Sequence, residues 1–313
     1  MTNEALIQKA FLAVADLAPA GVLPEERAKQ FIQDAIAVGK ILRMADVKTM
    51  SSHTGRYPAL KFGVRILHAG TEGARASQQA KPTARQILLE TKLYKGEVPL
   101  SDEVLEDNIE QQKFVDTIQR MMAERVGQDC EEIALYSDTA LATTDPNYPD
   151  YAQFDGLLKT AGHVYDLAGD PDGGVLTLEA FSRALQQIPY EYRQRKTEMV
   201  AFASPSVEER LRVMFAGRAT NLGDAMATGS QQVKLLGVPV VDTVLPEDAT
   251  AKTGTMLVTF PKNVVVGYWR QVRIEPWRDP REGVLYLIVT VRFTAKYYQP
   301  DAVLKIVNVK YAA

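Results

Sequence analysis

The stretch Leu60-Lys61-Phe62-Gly63-Val64-Arg65-Ile66, answered after a polar tip by Arg85-Gln86-Ile87-Leu88-Leu89-Glu90-Thr91-Lys92-Leu93, decides the fold. Leu60, Phe62, Val64 and Ile66 recur at every second position on the way out, and Ile87, Leu89, Thr91 and Leu93 on the way back, which is the period of a strand with one buried face. Between them Gly70, Gly73 and Pro82 punctuate a Gly/Ala/Gln-rich tip with almost nothing to bury. A protruding two-stranded arm has little core of its own, and its open edges invite association, so a long one lies on something else. The expected support is another copy of the same protein.

A long amphipathic helix follows. Ser101 can cap its approach, Asp102 and Glu103 suit the positive end of its dipole, and the main run is expected from Ile109 to Leu135. Val115, Ile118, Met122, Val126, Cys130 and Ile133 recur at three- and four-residue steps, while Glu110, Lys113, Arg120, Glu124 and Glu131 fall on faces expected to stay wet. Alone, this would be an ordinary surface helix of any α/β protein.

Upstream, helical patches around Leu6–Leu17 and Phe31–Met44 are separated by Pro19 and Pro24 and read as an arm. Downstream, a helix over Leu178–Gln187 capped by Thr177, a strand Met199–Ala203, a helix opening at Ser204 or Ser206, and a strand Val233–Val241 bent near Gly237 and Pro239 form a mixed lobe. Ser206 and Glu209 have capping-box spacing. Five β-rich runs close the chain: Met256–Phe260, Val264–Tyr268, Gln271–Ile274, Val284–Phe293 and Val303–Val309. A long hairpin is centred on Asp279-Pro280-Arg281-Glu282-Gly283.

With 313 residues, 46% of them hydrophobic, the chain can bury two or three lobes. Its 36 basic and 39 acidic residues leave a net charge of −3, no general attraction for nucleic acid or anionic membrane. Cys130 stands alone, excluding an intrachain disulfide and a Cys-based zinc site. Met1-Thr2-Asn3-Glu4 is not the start of a signal peptide, and no apolar run reaches the ~20 residues that span a bilayer.

Chemistry-bearing constellations are scarce. His53, His68 and His163 are far apart in sequence, none beside Cys130, and no phosphate-binding glycine loop opens a helix after a strand. Asp166, Asp170 and Asp172 share a loop but fit no EF-hand register, so a solvated turn is the expectation. Arg193, Arg195 and Lys196 beside Tyr190 and Tyr192 read as helix-end cations rather than a nucleic-acid patch. Cys130 lies on the apolar stripe and reads as a small buried hydrophobe.

Three further stretches, in order, resemble the major capsid proteins of tailed bacteriophages, which share the Hong Kong phage capsid fold. They are Glu97-Val98-Pro99-Leu100-Ser101-Asp102-Glu103-Val104-Leu105-Glu106-Asp107 leading into the helix, Leu235-Leu236-Gly237-Val238-Pro239-Val240-Val241, and Val289-Thr290-Val291-Arg292-Phe293 ending in Gln299-Pro300-Asp301-Ala302-Val303. The resemblance spans residues 40 to 313. Each motif alone is weakly specific; their order around a β-arm and a long helix is more so.

The resemblance implies an α+β fold with an N-terminal arm (1–50), an extended loop (51–90), a peripheral domain with the spine helix and long hairpin (91–137 and 256–298), and an axial domain of mixed sheet and helices (138–255 and 299–313). It implies a non-enzymatic major head protein that self-assembles, as pentamers and hexamers, into an icosahedral shell. That shell would enclose the double-stranded DNA of a tailed bacteriophage (Caudoviricetes) without sequence-specific binding. No cofactor, metal, catalytic residue or membrane is implied; assembly in the host bacterial cytoplasm and residence in the virion are. The intersubunit contacts expected are Phe62, Val64, Arg65 and Ile66 on the loop and Trp277, Arg278 and Arg281 on the hairpin.

Two departures from the best-known member matter. About 50 residues precede the loop, in place of a long scaffolding segment, so a separate scaffolding protein or assembly from a preprocessed form is expected, beside a portal protein and a decoration protein. Lys61 and Lys81 are available for a covalent link, but residues 275–290 contain no asparagine, so chain-mail cross-linking is not expected. Two rival readings are an encapsulin-like compartment holding a cargo enzyme, and a cytoplasmic α+β enzyme using scattered acids such as Asp155, Asp166 and Asp170.

Overall fold

The computed structural model describes residues 39–61, 83–101, 111–217, 231–269 and 273–312. The chain begins with helix α1 (Lys40–Met44) and strands β1 (Asp46–Met50), β2 (Thr54–Lys61), β3 (Thr83–Glu90) and β4 (Lys92–Ser101), then the long helix α2 (Gln111–Tyr136). A middle stretch holds α3 (Tyr148–Tyr151), β5 (His163–Asp166), α4 (Leu178–Leu185), α5 (Tyr190–Arg193), β6 (Val200–Ala203), α6 (Pro205–Ala216), β7 (Lys234–Leu235), β8 (Val238–Asp242) and β9 (Glu247–Asp248). The last are β10 (Thr253–Thr259), β11 (Val264–Trp269), β12 (Arg273–Asp279), β13 (Val284–Tyr297) and β14 (Leu304–Lys310).

Among the described residues, β1, β4, β11, β12 and β13 form one sheet. Val284–Thr290 pairs with both β12 and β4, and Phe293 with both Tyr268 and Lys92. Each strand has two edges, so β11 and β12 must lie end to end along one edge of β13, with β4 along the other. Leu287, Val289, Val291, Phe293, Ala295 and Tyr297 alternate inward along β13. The uninterrupted run Val264-Val265-Val266 marks a strand covered on both faces. Val264 and Val266 join the core beneath α2, while Val265 meets Met50, Ile87 and Leu89 on the other side.

Helix α2 lies across this sheet by the stripe its sequence announces: Met122 and Cys130 are buried, Val126 and Ile133 half-buried. Residues 40–50, read as arm, contribute to the body. Ile41 and Leu42 are buried in the same core, and β1 pairs in parallel with β11. The patch around Leu6–Leu17 and the Ser101 cap of the long helix concern residues 1–38 and 102–110, outside the described residues.

The second sheet runs β5-β14-β10-β6-β8-β7, with β9 on β10. Its alternation separates two cores. Phe202 and Leu257 face the core shared with α2, whereas Ala201, Ala203, Met256 and Val258 face a second core built with Phe181 and Leu185 of α4 and Leu211 and Phe215 of α6. Thr177 caps α4 by accepting from Ala180 N at 3.0 Å, as its position predicts. Two local expectations give way. The strand expected over Val233–Val241 is split, because Leu236 (φ 50°) and Gly237 (φ 91°) make a tight turn between β7 and β8. The Ser206–Glu209 box does not form: Glu247 takes both Ser206 N and Oγ, each at 2.9 Å.

After passing from β4 through α2 to β5, the chain crosses between the sheets by two short connections, from β10 to β11 and from β13 to β14. Buried Asn263 clamps the crossings together. Its Nδ2 donates to Gln299 O at 2.9 Å, its Oδ1 accepts from Gln299 N at 2.8 Å, and its carbonyl accepts from Tyr298 N at 2.9 Å. Beside it, a Cβ on Gly162 would lie 2.4 Å from Pro300 O, so only glycine fits there.

Candidate intersubunit surfaces

Three surfaces project from this frame or are left open on it. The first is the ribbon of β2 and β3, paired in register from Thr54–Glu90 to Lys61–Thr83. Its root is anchored because the period-2 pattern puts Ile87 and Leu89 inward against Met50 and Val265, while Leu88 stays exposed. Thr91 ties the ribbon's base to the His53 carbonyl through its amide at 3.1 Å and its hydroxyl at 3.2 Å. Phe62, Val64, Arg65 and Ile66, the expected loop contacts, lie outside the described residues.

The second is a tongue of β12, β13 and β4. Its tip turn is set by Gly283 (φ 61°) and by the Asp279 carboxylate, which accepts from Arg281 N at 2.9 Å. Trp277 sits on the outer strand directly opposite Tyr286, their rings stacked at 5.6 Å, yet it remains 53% exposed. Arg278 and Arg281 are also exposed beside it. The tongue therefore gathers Trp277, Arg278 and Arg281 at one end: an aromatic ring held in place, with cations around it, is the composition of an interface anchor. Pro276, which lacks an amide hydrogen, is tolerated there because β12 is an edge strand among the described residues.

The third is the outer surface of the second sheet and its helices, where Val164 on β5, Tyr190 on α5, Val213 on α6 and Val244 are exposed. Sequence reasoning passed over the three valines and weighed Tyr190 only as a neighbour of helix-end cations. Single apolar residues in a strand or helix read as core until neighbours are placed around them, and nothing in their spacing says otherwise.

Two polar nodes fix the rigid body between these surfaces. Glu131, expected on the wet side of α2, is instead 3% exposed at the meeting point of α1, α2 and the loop after β8. Its Oε1 accepts from Thr243 Oγ1 at 2.6 Å and from Ile41 N at 3.4 Å. Burial pushes its carboxyl above the usual range, against those hydrogen bonds. Asp170, expected in a solvated turn, has a fully buried side chain. Arg183 grips it through both Nε and Nη2, Tyr165 donates to it, and Arg183 also reaches Asp172 at 2.6 Å. The Arg183 guanidinium holds the Asp170 carboxyl down to about 2. The loop is thus a structural strap on α4, with Asp166 tied separately to Asn308 at 2.8 Å.

Cys130 is buried, and burial raises its thiol to about 12, which makes it an inert packing residue. His53 packs edge-on against Trp269 at 5.8 Å. Among the described residues no group of three or more His, Cys, Asp and Glu side chains is disposed around a common metal position, and no helix is long and apolar enough to cross a membrane.

Residues 20–308 match the phage capsid family. A relative from Bacillus subtilis (strain 168), named as a prophage capsid protein (YqbE), is 32% identical over 320 residues, covering 99% of this chain and 100% of its own length. Among solved structures, a chain of the satellite phage P4 procapsid with its size determination (Sid) protein superposes with a TM-score of 0.68 at 15% identity, covering 99% of this chain and 98% of that one. A chain of the SrpI encapsulin complex from Synechococcus elongatus PCC 7942 gives 0.55 at 12% identity over 87% and 88% of the two chains. At such identities the superpositions speak for the fold, and the sequence matches speak for the lineage. This chain belongs to the phage capsid family.

Proposed function

We propose that this chain is the major head protein of a tailed bacteriophage, many copies of which close into an icosahedral shell around double-stranded DNA. The observation that carries the reading is the end-to-end match, at 32% identity, to a relative named as a prophage capsid protein. The architecture is consistent with it. Two sheets braced by α2 and clamped at Asn263 present a ribbon and a tongue that leave Leu88 and Trp277 exposed, apolar surface available to neighbours in pentamers and hexamers. In this reading the tongue's Trp277, Arg278 and Arg281 meet adjacent subunits, as do Phe62, Val64, Arg65 and Ile66 farther along the ribbon. A separate scaffolding protein, a portal and a decoration protein are the expected partners, and the near-neutral subunit encloses DNA without gripping particular sequences.

An encapsulin-like compartment is the second reading, favoured only by the shared fold with the SrpI chain. Co-expression with neighbouring genes, followed by sedimentation and measurement of nucleic acid in the particles, separates the two. DNA-filled heads support the proposal, and nucleic-acid-free shells that retain one co-purifying enzyme overturn it.

A further inference from the structure

β4 is the outermost strand of the tongue. Among the described residues it pairs with β13 along one edge and with nothing along the other, so ten residues of open ladder face outward. The edge is open at its centre, where Lys95, Gly96 and Glu97 are all exposed although successive side chains of a strand point to opposite faces. Lys95 and Glu97 make no ion pair among the described residues. Gly96 has no duty within the subunit: a Cβ there would meet nothing within 4 Å, and a glycine in mid-strand gives up backbone entropy and packing. Close approach of a second backbone explains such a residue.

The prolines fix which way the ladder groups point. Pro99 lies opposite Tyr286 on β13, and Pro276 of β12 opposite Leu287; each lacks the amide hydrogen that an inward position would need. The two agree, because neighbouring residues of β13 bond to opposite sides. Pro99 therefore stands at an outward position, and Leu93, Lys95 and Glu97, at two-residue steps from it, turn their N–H and C=O groups outward as well. Their side chains share the outer face, whereas Tyr94, Val98 and Leu100 pack towards the core.

We propose that β4 pairs in antiparallel with β4 of a second copy, across a two-fold axis at Gly96. Reversed, Lys95-Gly96-Glu97 is its own complement. Lys95 of each copy falls opposite Glu97 of the other, Leu93 falls opposite Pro99, and the two glycines let the strands approach at the axis. Charge selects the register, since a slip of two residues sets lysine against lysine or glutamate against glutamate. The other charges on this face stand off the edge: Glu275 lies beyond β13, across Ile288 from Glu97, and Arg292 is stacked over Trp269 at 4.5 Å. The inference rests on the shell reading, in which two-fold axes relate neighbouring copies.

The test uses Gly96→Cys, at a position with room for the side chain, in assembled shells under mild oxidation; Cys130 is buried and does not compete. The expected result is disulfide-linked dimers mapped to position 96. Leu93→Cys, on the same strand but about 20 Å from its mate across the axis, should stay monomeric. Lys95→Glu or Glu97→Lys, added to Gly96→Cys, should lower the dimer yield by about 2- to 30-fold, the equilibrium equivalent of losing two exposed ion pairs, and the double swap should restore it. If the cysteine shells do not close, carbodiimide treatment of unaltered shells, built from equal amounts of ¹⁵N-labelled and unlabelled chain, reads the same contact as Lys95–Glu97 amide links between labelled and unlabelled copies. Shells without either link, or dimers whose yield the charge reversals leave unchanged, overturn the contact and leave the shell reading standing. Links in a soluble dimer that never closes keep the contact and overturn the shell; neither shells nor links overturns both.

Discussion

At the level of single residues, the two acids that the sequence misplaced are the most informative. Nothing in the spacing of Asp170 distinguishes it from Asp166 or Asp172; only the fold brings Arg183 of α4 onto it. Because Arg183 holds the folded carboxyl near 2, below its ordinary 3.8, the pair stabilises the fold above about pH 4, and the contribution disappears as pH falls towards 2. Asp170→Asn should therefore melt below wild type at neutral pH, with the gap closing between pH 4 and 2; a gap independent of pH would contradict the assignment. Glu131 has the opposite sign. Its folded carboxyl lies above 4.5, so the native state binds the proton more tightly and loses stability as pH rises past that value. Glu131→Gln keeps an acceptor for Thr243 without the buried charge, and its melting temperature should rise relative to wild type as pH increases from 4.5. An offset that does not grow with pH would refute this. Helical periodicity put Glu131 on the wet face correctly for a bare helix, but could not foresee that α1 and Thr243 cover that face.

At the level of elements, strands and the long helix were legible because their periods, 2 and about 3.6, differ sharply and their apolar residues are unambiguous. The Val233–Val241 run was not, since only backbone conformation at Leu236 and Gly237 separates a bent strand from a hairpin. The ribbon's inward face reads directly from Ile87 and Leu89, and its energetic weight falls on Leu89, fully buried against the Val265 strand. Leu89→Ala should cost about 2–5 kcal/mol in denaturant unfolding by transfer and cavity effects together, and less than about 1 kcal/mol would mean the ribbon root is not packed as described. Trp277 behaves differently because half of it is exposed. Trp277→Ala loses its stacking on Tyr286, about 1 kcal/mol of subunit stability, while the yield of closed particles should fall severely. Normal particle yield would remove the tongue from the list of subunit contacts. Exposure of Val164, Tyr190 and Val213 was invisible in the sequence, because burial of an isolated apolar residue is decided by what packs over it.

At the level of the whole molecule, one sheet separates two cores, and the chain crosses between the sheets at the Asn263–Gln299 clamp. The ribbon and the tongue bury one face each within the subunit and leave Leu88 and Trp277 exposed, and in the proposed shell neighbouring copies cover these. Family order could be read from three short motifs around the arm and helix, whereas the clamp could not, since Asn263 and Gln299 meet only when both crossings are in place. Electron microscopy of the purified protein, expressed alone and with a candidate scaffold, tests the central claim most directly. Closed icosahedral particles are the predicted result; small soluble oligomers under every condition would contradict it.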